Sequence, residues 1–115
     1  CELLVDNVAQ SNNGRMVTLS SMLGSMALNS TGGLYAYRAS KAGVNAIMAS
    51  MAIDLRDRGI TAIAMHPGWV QTDMGGAGAD LDVETSVNGM KKVIDGLSSE
   101  DSGKLLSWDG SEMPW

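Results

Sequence analysis

Two short apolar runs separated by a long helical pattern constrain the fold of this chain most. Residues 16–19 and 60–65 are apolar, bounded by turn residues, and show no polar alternation. This pattern is typical of strands buried on both faces of a parallel sheet. Residues 34–58 between them repeat apolar side chains at helical spacing, and Gly59 is placed to cap the helix end. Strand, helix and strand in this order predict a βαβ unit with a right-handed crossover.

The carboxyl-terminal part predicts a second helix and a third strand. The apolar positions of this helix recur every three or four residues, at Val83, Val87, Met90, Ile94 and Leu97. Asp80 or Asp82 is placed to cap its first turn. Residues 104–108 predict the third strand, and residues 1–9 are typical of the end of a helix. The predicted fold class is α/β, with three parallel strands joined by long crossover helices.

The long helix has two faces with different predicted roles. The apolar stripe of this helix is Val44, Ile47, Met48, Met51 and Leu55, and its Met residues are predicted to pack in the core. Of these positions, Val44, Ile47, Met51 and Leu55 are predicted to face the sheet. The positions predicted to remain free are Ala42, Ala46 and Ala49. Small side chains on the free face would let another helix approach closely.

Composition and charge exclude several classes of protein. The net charge is −5, and residues 73–115 hold nine acids against three bases, which argues against a surface for nucleic acid or anionic lipid. A single cysteine forms no internal disulfide, and no apolar run is long enough to span a bilayer. No metal site is expected. We expect a cytoplasmic protein. The start without an initiator Met suggests that the chain begins within a longer protein.

A tyrosine and a lysine open the long helix with a spacing that has a chemical use. Tyr37 and Lys41 are four residues apart, which places both side chains on one helix face. A free phenol has a pKa of about 10, and a nearby positive charge favours the phenolate. Such a pair can donate or accept a proton during catalysis. The spacing alone is also common on solvated helices.

Two serines follow the first predicted strand. Ser20 and Ser21 lie at its carboxyl end, where open α/β sheets bind their ligands. Serine is equally common there as a cap for backbone groups of a turn. Position alone leaves both roles open.

Three motifs in this order resemble the short-chain dehydrogenase/reductase family. They are Ser20-Ser21-Met22-Leu23-Gly24 after a strand, Tyr37-Arg38-Ala39-Ser40-Lys41 opening a helix, and Pro67-Gly68-Trp69-Val70-Gln71-Thr72 after the next strand. The sequence around these motifs, together with Met113-Pro114-Trp115, is similar to the C-factor-like branch of small carbonyl reductases. The resemblance covers essentially the whole chain. It implies the carboxyl-terminal half of a Rossmann-like, doubly wound parallel sheet, with residues 1–115 as one partial domain.

The resemblance implies a role for particular residues. Ser21, favoured over Ser20, would hydrogen-bond the substrate oxygen, Tyr37 would transfer the proton, and Lys41 would assist Tyr37 and hold the nicotinamide ribose of NAD or NADP. The residues expected to line the nicotinamide are Pro67, Gly68, Val70 and Thr72. Tyr35 lacks a lysine four residues on, since Ala39 stands there. His66 ends a strand in a position that the family does not use for chemistry, so we favour a structural role.

Several parts of the family pattern are missing from the sequence. No Gly-rich turn for the pyrophosphate joins a strand to a helix, and the family's catalytic Asn and Asn-Asn-Ala strand do not occur. Two hypotheses follow. The first is an oxidoreductase acting on a small carbonyl or alcohol substrate. By the resemblance, its parent protein would form a homodimer or homotetramer through the helix before the serine strand and the long helix. The second is a non-enzymatic fragment, or an interaction or signalling protein. We expect the isolated 115 residues to be inactive.

Overall fold

A four-stranded sheet organises the fold. The computed structural model describes residues 2–115. The sheet contains β1 (Arg15–Leu19), β2 (Thr61–His66), β3 (Leu105–Ser107) and β4 (Glu112–Met113), in that spatial order. The first three strands are parallel, which confirms the predicted α/β class and the three parallel strands.

The register brings the carboxyl ends of the first two strands together. Leu19 pairs with Met65, so Ser20 and Ser21 lie beside His66 and Pro67 at the same edge of the sheet. The backbone amide of Ser20 donates to the Met65 carbonyl across 2.7 Å, extending the ladder by one bond. The two motifs that follow these strands therefore meet in space.

The long crossover helix is somewhat shorter than the sequence predicts. α2 spans Tyr35–Asp54, and a separate 3₁₀ turn spans Arg56–Arg58. Gly59 follows with φ of 69°, a left-handed conformation that glycine adopts without steric cost. The predicted cap at Gly59 is confirmed, although it closes the 3₁₀ turn rather than α2 itself.

The second crossover helix and the amino-terminal helix are also present. α3 spans Val83–Asp95, and the Asp82 carboxylate accepts a hydrogen bond from the Thr85 amide across 2.7 Å. Of the two predicted caps, Asp82 is therefore the one used. Near the start, a 3₁₀ turn at Glu2–Leu4 leads into α1 (Val5–Ala9). Cys1 lies outside the described residues.

Each face of the sheet has its own apolar core. On one side, α2 contributes Met48 and Ala52, which pack against Ala62, Ala64 and Leu105. On the other side, α3 covers a cluster formed by Ile63, Met65, Leu97 and Leu106. One helix on each face is the arrangement of a doubly wound sheet.

The predicted sheet-facing stripe of α2 is wrong at one position. Ile47 is 60% exposed, whereas Met48 is 2% exposed and occupies the core. The helix is rotated so that Asn45 and Ala52 also point inward. Periodicity alone did not separate Ile47 from Met48 because adjacent residues differ by only about 100° around a helix.

The tail after β3 adds a strand that the sequence did not predict. Leu105 pairs with Met113 and Leu106 with Glu112 in antiparallel orientation. Two residues are too few for a period to appear in the sequence. Among the described residues, no helix combines the length and apolar character needed to cross a membrane.

Candidate active site

A cavity of about 1110 Å³ opens at the carboxyl edge of the sheet. Most of the residues predicted from sequence line it together: Ser21, Tyr37, Pro67, Gly68, Val70 and Thr72. Ser20 and His66 line it as well. The three motifs therefore enclose one cavity, and it lies at the sheet edge that the strand order predicted.

Lys41 is not among the residues that line this cavity. Its Nζ is 5.9 Å from the centroid of the Tyr37 ring. The same ammonium donates to the Leu19 carbonyl across 3.1 Å, at the end of β1. This bond fixes the lysine against the serine strand, one helical turn from the tyrosine.

The two serines are in different environments. The Ser20 hydroxyl is buried and donates to Oδ1 of Asn45 across 2.5 Å. The Ser21 oxygen accepts a bond from the Leu23 amide across 3.1 Å, which caps a 3₁₀ turn at Met22–Gly24. An accepting hydroxyl still has its own proton to donate. Ser21 thus combines the capping role with a proton available to a ligand.

Asn45 supports the serine motif from α2, a role that was not predicted from the sequence. It lies one turn after Lys41 on the inner face of α2 and is 4% exposed. Its Nδ2 has no hydrogen-bond partner among the described residues. The available signal was a polar side chain four residues after the lysine on an otherwise apolar face.

Gly24 brings the turn after the serines close to α2. A Cβ at this position would lie 2.7 Å from the Lys41 carbonyl carbon and 2.9 Å from the Asn45 Nδ2. Only glycine permits this approach without a shift of the helix backbone. The Ser-Ser-x-x-Gly spacing thus places the serine strand and the Tyr-Lys helix in direct contact.

The segment after Pro67 folds into a compact loop. Residues 70–81, the bridged loop, are closed by a β-bridge between Val70 and Leu81. The Trp69 indole donates to the Gly75 carbonyl across 2.9 Å. A Cβ on Gly75 would lie 1.8 Å from the Val70 carbonyl oxygen, so this turn requires glycine. Thr72 and Met74 from the bridged loop line the cavity.

A serine of α3 anchors the start of that segment. Ser86 is buried, and its hydroxyl donates to the Pro67 carbonyl across 2.6 Å. Gly68 has φ of 86°, and a Cβ there would lie 2.4 Å from the Leu81 side chain. The Pro-Gly pair is therefore fixed from both sides.

His66 lines the cavity with part of its ring buried. Its Nδ1 has no hydrogen-bond partner among the described residues. Burial lowers the pKa of His66 below its usual 6.5, and the nearby Asp109 carboxylate offsets part of this effect. The imidazole is therefore biased toward its neutral form. Tyr35, by contrast, is 84% exposed and is not among the lining residues.

Comparisons with known proteins agree with these motifs. The family model described as short chain dehydrogenase matches residues 1–82. C-signal of Myxococcus xanthus is 50% identical over 101 residues, which are 88% of this chain and 61% of that protein.

Two solved structures are similar over almost the whole chain. The carbonyl reductase Sniffer of D. melanogaster has a TM-score of 0.94 and 37% identity, over 100% of this chain and 50% of that one. The NADPH-bound carbonyl reductase from chicken fatty liver has a TM-score of 0.86 and 38% identity, over 96% of this chain and 48% of that one. The chain thus spans about half the length of these reductases. With the family model matching most of its residues, the chain belongs to the short-chain dehydrogenase family.

Proposed function

We propose that these residues form the catalytic half of an NAD(P)-dependent oxidoreductase. The reaction is hydride transfer between the nicotinamide of the dinucleotide and a carbonyl compound or secondary alcohol. The observation that carries this proposal is the shared cavity of Ser21 and Tyr37, with Lys41 one helical turn behind the tyrosine. Carbonyl reductases among the similar structures support the same reaction class.

The residues fit one end of a dinucleotide. Pro67 and Val70 give the cavity an apolar wall. The Thr72 hydroxyl accepts a bond from the Gly75 amide across 3.1 Å and would donate its proton to a carboxamide. Lys41, whose Nζ donates to the Leu19 carbonyl at the end of β1, would hold the ribose hydroxyls. The 115-residue sequence holds no Gly-rich strand-to-helix turn for a pyrophosphate. The fit therefore extends to the nicotinamide riboside end, and both NAD and NADP are compatible with it.

The side chains divide the proton chemistry among them. When bound, the nicotinamide supplies or accepts the hydride. Tyr37 donates a proton to the substrate oxygen during reduction and takes it back during oxidation. Ser21 donates a hydrogen bond to the same oxygen, and one such donor contributes about 3 kcal/mol to transition-state stabilisation. Lys41 places its positive charge 5.9 Å from the centroid of the Tyr37 ring while the proton moves.

The outer face of α2 supports assembly of the full-length protein through this helix. Ile47 and Ile53 are 60% and 67% exposed, and Ala46 lies exposed between them on the same side of the helix. An apolar helix face with a small residue is suited to packing against a second copy. We include a homodimer or homotetramer in the proposal.

A second candidate is a signalling or interaction role without turnover. The relative at 50% identity is named C-signal, which favours this reading. The two candidates differ in whether the chemistry of Tyr37 is required.

Replacing Tyr37 in the full-length protein tests the proposal. Tyr37→Phe removes the hydroxyl and keeps the ring, so kcat for carbonyl reduction is expected to fall by at least about 10²-fold. Tyr35→Phe is the matched control, because Tyr35 is exposed and outside the cavity, and its rate is expected to equal wild type. Steady-state NADH and NADPH oxidation measures both. Equal turnover by wild type and Tyr37→Phe would contradict the proposal.

A further inference from the structure

Arg38 ties α2 to the part of the chain that leads into it. Its Nε donates to the Gly33 carbonyl across 3.1 Å. Its Nη2 donates to the Thr31 hydroxyl across 3.1 Å and to the Gly32 carbonyl across 3.2 Å. A guanidinium offers several N–H donors in one rigid plane, so a single side chain can bind acceptors on three consecutive residues. We call residues 31–33 the approach segment.

The same guanidinium also reaches the 3₁₀ turn that Ser21 caps. Its Nη1 donates to the Leu23 carbonyl across 3.4 Å. The Leu23 amide in turn donates to the Ser21 hydroxyl oxygen across 3.1 Å. Arg38 directly follows Tyr37 in the sequence. Two successive hydrogen bonds therefore connect Ser21 to the residue beside Tyr37.

The first turn of α2 has little support of other kinds. The first buried residue of this helix is Asn45, whereas Tyr37 lies in the first turn. The amides of a first turn lack partners within the helix, and Leu34 at the N-cap has no side-chain acceptor for them. Leu34 also has φ of 50°, a left-handed conformation that persists only where surrounding contacts hold it. The Arg38 amide donates to the Leu34 carbonyl across 2.8 Å, and the Arg38 side chain binds Gly33, so one residue holds both sides of Leu34.

We propose that Arg38 is a positioning residue that holds the first turn of α2 and so keeps the Tyr37 hydroxyl aligned with Ser21. The kinetic part of this inference rests on the proposed function. Proton transfer requires that Tyr37 and Ser21 reach the same substrate oxygen, and a displacement of about 1 Å is enough to slow it. Without the guanidinium the first turn frays, whereas Lys41 stays bonded to the Leu19 carbonyl. Loss of the Arg38 side chain therefore affects proton transfer and leaves dinucleotide binding intact.

Hydrogen exchange in the full-length protein tests the structural part. Arg38→Met keeps the aliphatic stem of the side chain and removes every N–H donor. Peptides covering residues 31–38 are expected to exchange about tenfold faster, as for the loss of one hydrogen bond. Arg56→Met is the matched control, because Arg56 is exposed in the 3₁₀ turn after α2, and exchange over residues 31–38 is expected to equal that of wild type. Unchanged exchange in Arg38→Met would overturn the proposal.

Steady-state kinetics of benzaldehyde reduction by NADPH test the catalytic part. In Arg38→Met, kcat is expected to fall about tenfold or more, while KM for NADPH stays within about twofold. Arg38→Lys keeps the charge but loses the planar donor group, so its kcat is also expected to fall below that of wild type.

Three kinetic results would overturn the proposal. They are a wild-type kcat in Arg38→Met, a wild-type kcat in Arg38→Lys, which would assign the effect to charge, and a rise in KM for NADPH as large as the fall in kcat, which would indicate a general structural role. Absence of turnover in wild type with either dinucleotide would instead contradict the proposed function, and exchange would still decide whether Arg38 holds the first turn of α2.

Discussion

Ser20 and Asn45 share a buried hydrogen bond across 2.5 Å, linking the serine strand to the helix that carries Tyr37 and Lys41. Ser20 immediately precedes Ser21, and Asn45 lies one turn beyond Lys41. The bond fixes the strand end against the helix next to the residues with proposed catalytic roles. Because the Ser20 hydroxyl is engaged in this way, Ser21 is the serine with a proton free for a ligand.

We predict that a double-mutant cycle shows strong coupling between Ser20 and Asn45. Ser20→Ala and Asn45→Leu are each expected to lower the free energy of unfolding by about 1 kcal/mol or more, because each leaves the other side chain buried and unpaired. The double variant is expected to lose less than the sum. Urea denaturation of the full-length protein measures this. Asn88→Leu, at an exposed position of α3, is the control and is expected to change stability by less than about 0.5 kcal/mol.

Gly75→Ala is predicted to open the bridged loop. The added Cβ would lie 1.8 Å from the Val70 carbonyl oxygen, so the turn has to rearrange and Trp69 loses its bond to Gly75. Faster hydrogen exchange over residues 70–81 is the expected result. Gly78→Ala is the matched control, since a Cβ there meets nothing within 4 Å and its φ is not positive. Similar exchange in the two variants would contradict this account of the loop.

We predict that titration of His66 lowers the free energy of unfolding as the pH falls. Its folded-state pKa is lowered by burial below the unfolded value of 6.5, so the unfolded chain binds more protons. The free energy of unfolding therefore falls as the pH drops below 6.5, until the folded-state pKa is reached. His66→Gln is expected to flatten the dependence of the free energy of unfolding on pH below pH 6.5 in denaturation experiments. If the free energy of unfolding changed with pH in the same way for wild type and His66→Gln, this prediction would be wrong.

Ile47→Glu is predicted to weaken assembly of the full-length protein. A buried unpaired carboxylate is strongly unfavourable in an apolar helix interface. Light scattering at micromolar concentration is expected to show a dimer or tetramer for wild type and a smaller species for the variant. Ile47→Val keeps the face apolar and is expected to behave as wild type. A monomeric wild type would contradict the proposed assembly.

Residues 1–115 expressed alone are predicted to be molten or aggregating, with no measurable affinity for NADH or NADPH. β1 lies at the sheet edge in the described residues, and its interior holds neither charge nor proline after Arg15. Thr18→Lys places a charge on this edge and is expected to reduce aggregation. An amide NMR spectrum and a dinucleotide titration measure the outcome. A well-dispersed monomer that binds either dinucleotide would refute the prediction.

The sequence predicted the elements whose local pattern is strong. Parallel strands buried on both faces and Gly59 as a cap follow from short-range rules, and strand order then places Ser21, Tyr37 and Pro67 at one edge. The rest depended on tertiary contacts. Ile47 and Met48 are equally apolar, so only packing decides which one points inward. The hydrogen bonds from Ser20 to Asn45 and from Ser25 to the Pro114 carbonyl join residues that no local sequence pattern relates.

The bridge between Val70 and Leu81 has a consequence for how such a protein can diverge. Both ends of the loop are fixed by bonds within the loop or to the scaffold, including that from Ser86 to Pro67. The stretch after Thr72 can therefore be lengthened, shortened or exchanged as a cassette while the sheet beneath is left intact. Grafting this cassette from a relative would leave the residues with proposed proton-transfer roles untouched.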